Sequence, residues 1–251
     1  IDYLLFSLDI TKPKFVEIGI GTYKESNTRF LFERTAPEGL VIDCIEDLEE
    51  KIKKNVRFWK GDLTVINQLI NSDNIITIIE NNNFHKETDL FSLDIDGIDY
   101  WILEKLPENF SKICVMEYNS IFGPELEITV PNEMNFTRKA YHFSHLCYGM
   151  SLKALINKMS DKGFIFVGSN ELNNNAFFVQ KKYQSNLNID FPDTNDLKKF
   201  TNSNVRESRD KNGILNYLRK DERLKVIENC EVIDLSKPKK EKIKIKDLLN
   251  K

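Results

Sequence analysis

Residues 163–182, "GFIFVGSNELNNNAFFVQKK", constrain the fold more than any other stretch of the chain. Two β-rich runs, residues 163–169 and 176–182, are separated by only the six residues "NELNNN". Parallel neighbours need a crossover of a dozen or more residues, so these two strands must pair as an antiparallel hairpin. The chain before them reads differently. From residue 14 to 118, short β-rich runs alternate with amphipathic or polar segments, the pattern of parallel strands joined by crossover helices. The expected strands are "KFVEIGI", "GLVIDCI", "NVRFWKG", "DLFSLDI" and "KICVMEY", with helices near 25–34, 46–54, 64–72, 99–106 and 151–162. Residues 75–83, "IITIIENNN", fit either a helix or a strand.

A parallel sheet that ends in a helix and an antiparallel hairpin departs from the pattern of dinucleotide-binding dehydrogenases and argues against an NAD-binding reductase. It is the arrangement of the S-adenosylmethionine (SAM) methyltransferase fold. That fold is α/β and Rossmann-like, a mostly parallel seven-stranded sheet whose last strand inserts antiparallel beside the fifth. Residues 1–182 are expected to form this domain. Beyond Tyr183 the chain turns polar and then strongly charged, so residues 183–251 read as a C-terminal appendage that packs on the domain or on a second subunit. A homodimer is the expected assembly, because two-fold dimers are common and the appendage needs a surface.

The balance of charge narrows the partners. A formal net charge of -3, with 30% charged residues, gives no bulk attraction for nucleic acid or an anionic membrane. The basic run "KPKKEKIKIK" follows acidic residues and has no interleaved aromatics, so it reads as a solvated face and not a nucleic-acid arm. No apolar run approaches the roughly 20 residues of a membrane span. Cys44, Cys114, Cys147 and Cys230 are widely spaced without a CxxC, the usage of reduced thiols in a cytoplasmic protein.

The first expected strand runs into "GIGTYKESNT". Gly19 and Gly21 let the chain turn sharply and bring backbone N–H groups against a ligand. Position 23 is Tyr and position 24 Lys, so neither GxGxG nor GxGxxG is complete, and the glycines alone leave the cofactor open. Three carboxylates at successive strand ends narrow it. Glu17 stands where it could hold the cationic amino-acid end of a SAM-like ligand. Asp43 ends the second strand, where a carboxylate accepts ribose hydroxyls, and Asp62 follows the third expected strand, where it could accept the adenine amine.

The fourth strand ends in "SLDIDG" and the fifth in "VMEYN", which places Asp94, Asp96 and Glu117 at one edge, about 5 Å apart between strands. Such carboxylates suit Mg²⁺ or Mn²⁺, or general-base work, with Asp94 and Glu117 the expected ligands. One aspartate of this run could instead serve as the cap of the helix that follows. Residues 120–151 form a long segment expected to cover the ligand. It contributes His142 and His145 as candidate bases, since imidazole titrates near neutrality.

Together "FVEIGIGTYKESNTRFL", "DLFSLDIDGIDYWILEKL", "VMEYNSIFGPE" and "CYGMSLKALINKMSDKGFIFVGSNELNNNAFFVQ" resemble the FkbM-like SAM-dependent methyltransferases of bacterial polysaccharide gene clusters. The likeness covers about residues 14–182. It implies O-methylation of a sugar, with S-adenosylhomocysteine (SAH) as product, and carries over Glu17, Gly19, Gly21 and Asp43 as cofactor contacts and Asp94 as the active-site carboxylate. The family's DxE at the fourth strand is here Asp94-Ile95-Asp96. The expected substrate is a sugar or sugar nucleotide destined for capsule or surface polysaccharide. The alternatives are an N-methyltransferase and an inactive methyltransferase-fold interaction module.

Overall fold

The computed structural model describes residues 1–84, 88–202, 207–219 and 221–249. Its first strand, Lys14–Ile18 (β1), is buried at four of five positions, as a parallel strand covered on both faces must be. Parallel to it on one side run Glu38–Asp43 (β2) and then Asp62–Asn67 (β3); on the other run Leu90–Leu93 (β4) and Ile113–Glu117 (β5). Phe164–Ser169 (β7) and Asn175–Gln180 (β8) form the expected hairpin, and β8 inserts antiparallel beside β5. The order β3-β2-β1-β4-β5-β8-β7 is the mostly parallel, seven-stranded, Rossmann-like sheet of the methyltransferase fold, with its antiparallel last strand in place.

Successive strand residues point to opposite faces, and this alternation builds a three-layer sandwich. Phe15, Val41, Leu90, Val115 and Val179 face one apolar cluster, shared with Leu31 and Phe32 of Arg29–Thr35 (α2) and Leu48 and Ile52 of Leu48–Asn55 (α3). Val16, Leu40, Ile42, Phe91, Cys114 and Met116 face the other. There they meet Ile75–Asn81 (α4), Asp99–Lys105 (α5) and Leu152–Asp161 (α7). A short helix, Asp2–Ser7 (α1), precedes the sheet.

Two expectations fail on the third strand. "NVRFWKG" is not extended: Phe58–Lys60 make a single 3₁₀ turn with Trp59 77% exposed, and the strand starts only after Gly61. The helix expected at 64–72 is instead β3 over Thr64–Asn67. Val65, Ile66, Leu69 and Ile70 have helical spacing, but β-branched Thr64-Val65-Ile66 suits a strand, and six register pairs with β2 decide the matter. The ambiguous stretch at 75–83 becomes α4, burying Ile75, Ile78 and Ile79 at positions i, i+3 and i+4.

The charged C-terminal stretch adds a second, antiparallel sheet of order β10-β9-β6. In it Glu231–Asp234 (β9) lies between Glu241–Lys244 (β10) and Ile128–Thr129 (β6), the last drawn from the long 120–151 segment. Side chains reinforce the join. Tyr141 Oη, at the end of Arg138–Tyr141 (α6), donates to Glu231 O at 2.5 Å, and Tyr118 Oη donates to Phe200 O at 2.6 Å. Part of the lysine run is held, not free in solvent: Lys240 pairs with Glu104 and stacks over Trp101 at 4.7 Å. Helices Asp221–Ile227 (α8) and Ile245–Leu249 (α9) complete this region. Among the described residues no helix is long and apolar enough to cross a membrane.

Candidate cofactor pocket and acidic centre

The exit of β1 passes so close to the exit of β4 that a Cβ on residue 19 would sit 1.6 Å from Asp94 O. Only glycine fits there, and Gly19 also has φ +83. Gly21 meets no neighbour; its requirement is the left-handed φ of +55. The third residue of the series keeps the backbone shape without being glycine. Tyr23 has φ +60, and its ring is fully buried in the core, with its hydroxyl 2.8 Å from Thr28 Oγ1. The strain of that conformation, on the order of 1–3 kcal/mol, is offset by burial of the ring, which leaves the ligand side of the loop clear.

Glu17, which lines the cavity described below, is engaged by the loop that follows β1. It is buried, and its oxygens accept Asn27 N–H at 2.7 Å, Thr28 N–H at 2.9 Å and the Thr28 hydroxyl. Burial pushes its pKa up, while these bonds hold the carboxylate form. Glu17 therefore ties down the 22–28 loop and has little capacity left for a ligand ammonium. Asp43 lies at the carboxyl end of β2, as expected. Its Oδ2 accepts Gly21 N–H and its Oδ1 accepts Cys44 N–H, both at 2.7 Å, and burial raises its pKa. Asp62 is a correction. It opens β3 instead of following it, so it stands on the amino edge of the sheet, exposed, with its N–H bonded to Pro37 O. From that edge it cannot reach a ligand on the carboxyl side.

Between the glycine turn and the end of β4 lies a cavity of about 450 Å³, within the usual range for small-molecule sites. Glu17, Gly19, Gly21 and Asp94 line it, together with Lys24, Ser26 and Asn27 of the loop and Asn175 at the start of β8. Asp94, Asp96 and Glu117 each bring an oxygen to within 4.8 Å of the others. The geometry thus gathers the three carboxylates that the strand ends predicted, a donor set suited to a hard divalent cation. Arg138 pairs with Asp96 at 3.2 Å and stands over the Tyr148 ring at 5.6 Å.

The capping role considered for this run falls on Asp99, which sequence reasoning passed over. Its buried carboxylate accepts Ile95 N–H and Gly97 N–H, each at 3.0 Å, and so fixes the turn that carries Asp94 and Asp96. The signal was present, an aspartate in the first turn of a helix directly after "DIDG". Burial, helped by the charge of Asp94, raises the Asp99 pKa to about 7. With the folded pKa above the unfolded one, its contribution to stability is complete at low pH and is lost as pH rises through about 7. Thermal melts should show Asp99→Asn flattening the stability profile between about pH 4 and pH 7; a profile parallel to wild type would remove this assignment.

Neither candidate histidine lines the cavity. His142 Nδ1 lies 2.7 Å from Ser144 Oγ and its ring packs on Phe143, with burial lowering its pKa. His145 adopts φ +59; its pKa is lowered by burial and then by Arg209, Arg138 and Lys139. The 120–151 segment is tied down by hydrogen bonds and is not among the residues that line the cavity. Asn119 Nδ2 donates to Leu146 O and Tyr148 O at 2.9 and 3.0 Å, and Gly149 N–H donates to Gly97 O at 2.9 Å.

No protein-family model matches the chain, and no curated protein matches it. Among solved structures it is similar to a cysteine-to-alanine variant of LepI in complex with SAH and a substrate analogue. That likeness has 12% identity and a TM-score of 0.39, over 71% of this chain and 46% of that one. LepI in complex with SAM gives 11% identity and a TM-score of 0.39 over the same shares. The chain thus spans about half the length of the LepI chains. A third likeness is to the complex between the Haloferax volcanii Trm112 methyltransferase activator and a methyltransferase. It has 12% identity and a TM-score of 0.36, over 76% of this chain and 75% of that one.

Proposed function

We propose that the protein is a SAM-dependent O-methyltransferase that acts in the cytoplasm on a hydroxyl of a sugar or sugar nucleotide, an FkbM-like activity serving surface-polysaccharide assembly. One observation carries the reading: Asp94 belongs both to the wall of the cavity beside the glycine turn and to the acidic trio, so a cofactor and an acceptor would meet at this residue. The cavity fits SAM in kind, with left-handed backbone at residues 19, 21 and 23, Asp43 on the β2 side and buried polar oxygens in its wall. SAM, when bound, supplies an electrophilic methyl group.

The protein's own work is positioning and proton removal. The glycine turn orients the donor side, the 120–151 wall limits the acceptor side, and the Asp94 carboxylate takes the proton from the attacking hydroxyl. Asp94 and Glu117, joined by Asp96, would hold Mg²⁺ or Mn²⁺, which would lower the pKa of a coordinated hydroxyl. His142 and His145 lie outside the cavity lining, so the role of base falls first to Asp94.

Calorimetric titration with SAH, with and without Mg²⁺ and with NADH as control, tests the cofactor. Micromolar SAH binding without NADH binding is the expected result. Absence of SAH binding in every condition would leave the interaction-module reading in its place. Turnover with sugar nucleotides should then fall on addition of a chelator; indifference to chelator together with methylation of an amino sugar would transfer the assignment to N-methylation.

A further inference from the structure

Two buried side-chain oxygens have no hydrogen-bond partner among the described residues, Ser26 Oγ and Asn175 Oδ1, and both residues line the same cavity. Buried polar groups are normally paired, and two orphans on residues of one cavity wall point to a ligand that, with a turn of each side chain, supplies what they lack. They approach from different elements. Ser26 comes from the loop after β1, and Asn175 opens β8, in register with Glu117 of β5. Exposed Lys24 lines the cavity as well, and its ammonium has no ion-pair partner among the described residues. Glu25 is the acidic neighbour in the same wall. Glu17, the obvious carboxylate for a ligand ammonium, is already occupied by Asn27 and Thr28.

The orientation of a donor in this cavity follows from the sheet. Its reacting centre must face the trio at the ends of β4 and β5, and its ribose must lie toward Asp43 on the β2 side. The remaining end then falls in the space shared by the loop and β8. We propose that Lys24, Ser26 and Asn175 bind the amino-acid end of SAM, with Lys24 Nζ and the Ser26 hydroxyl donating to its carboxylate and Asn175 Oδ1 accepting from its ammonium. This rests on the SAM reading and replaces Glu17 as the contact for that end.

The test pairs two ligands. SAH carries the amino-acid end; 5′-methylthioadenosine keeps the adenosine and the sulfur without it. By calorimetry, Lys24→Ala and Asn175→Ala should each weaken SAH about tenfold or more and Ser26→Ala about fivefold, with 5′-methylthioadenosine changed less than about twofold. Lys24 is exposed, so Lys24→Glu serves as a variant that folds, and it should weaken SAH further still. Wild-type protein that binds SAH, with variants that lose nothing or lose both ligands equally, would overturn the assignment alone. Wild-type protein that binds neither ligand would overturn the SAM reading and this inference with it.

Discussion

Asp94→Ala should cut methyl transfer by about 10³-fold while SAH affinity stays within about tenfold. The asymmetry follows from where the carboxylate stands. Asp94 is one of many groups lining the cavity, so a product analogue keeps most of its contacts. It is also the carboxylate of the trio that reaches the cavity wall, so loss of its oxygens would remove both the proposed base and a proposed ligand for a cation. Asp94→Asn separates these two roles, since an amide can still coordinate weakly but cannot take a proton. Turnover equal to wild type in either variant would end the role assigned here, and a large loss of SAH affinity with unchanged kcat would reassign Asp94 to cofactor binding.

Gly19→Ala should cost about 3 kcal/mol of stability or more and abolish measurable SAH binding, because the added methyl would overlap the Asp94 carbonyl at 1.6 Å. The collision is between two backbones, so no side chain can swing aside; the exits of β1 and β4 must separate, and the cavity lies between them. Gly21→Ala is the internal control. Its methyl meets open space, so only the left-handed penalty applies, about 1–2 kcal/mol. Denaturant melts and SAH titrations of the pair decide the point: equal effects would mean that conformation, and not the close approach, governs position 19.

The hairpin at 163–182 made the sheet order legible, because six connecting residues leave one way to pair two strands. The acidic trio was legible too, since the residues after β4 and β5 must share an edge in a parallel sheet. Asp62 was misplaced for a local reason. The aromatic run before it mimics a strand, yet Trp59 faces solvent and the pairing with β2 begins at Asp62. Tyr23 looked like a lost glycine, but its backbone is left-handed all the same, a compensation by burial that one-dimensional spacing does not reveal. Asn175 and Ser26 were invisible because an unpaired oxygen is a property of three-dimensional surroundings.

The join between β6 and β9 sets an order of construction. Every strand of the sheet that bears the cavity is in hand once Gln180 is made, including the long-range pairings of β1 with β4 and of β5 with β8. The 120–151 segment is tied down from further along the chain: Tyr141 reaches its partner Glu231 across 90 residues, and β6 is paired by a strand from the charged C-terminal stretch. Closing so long a loop is slow relative to local pairing. A chain emerging from the ribosome therefore presents every strand of the cavity-bearing sheet before it presents residues 231–234, which pair with the 120–151 segment.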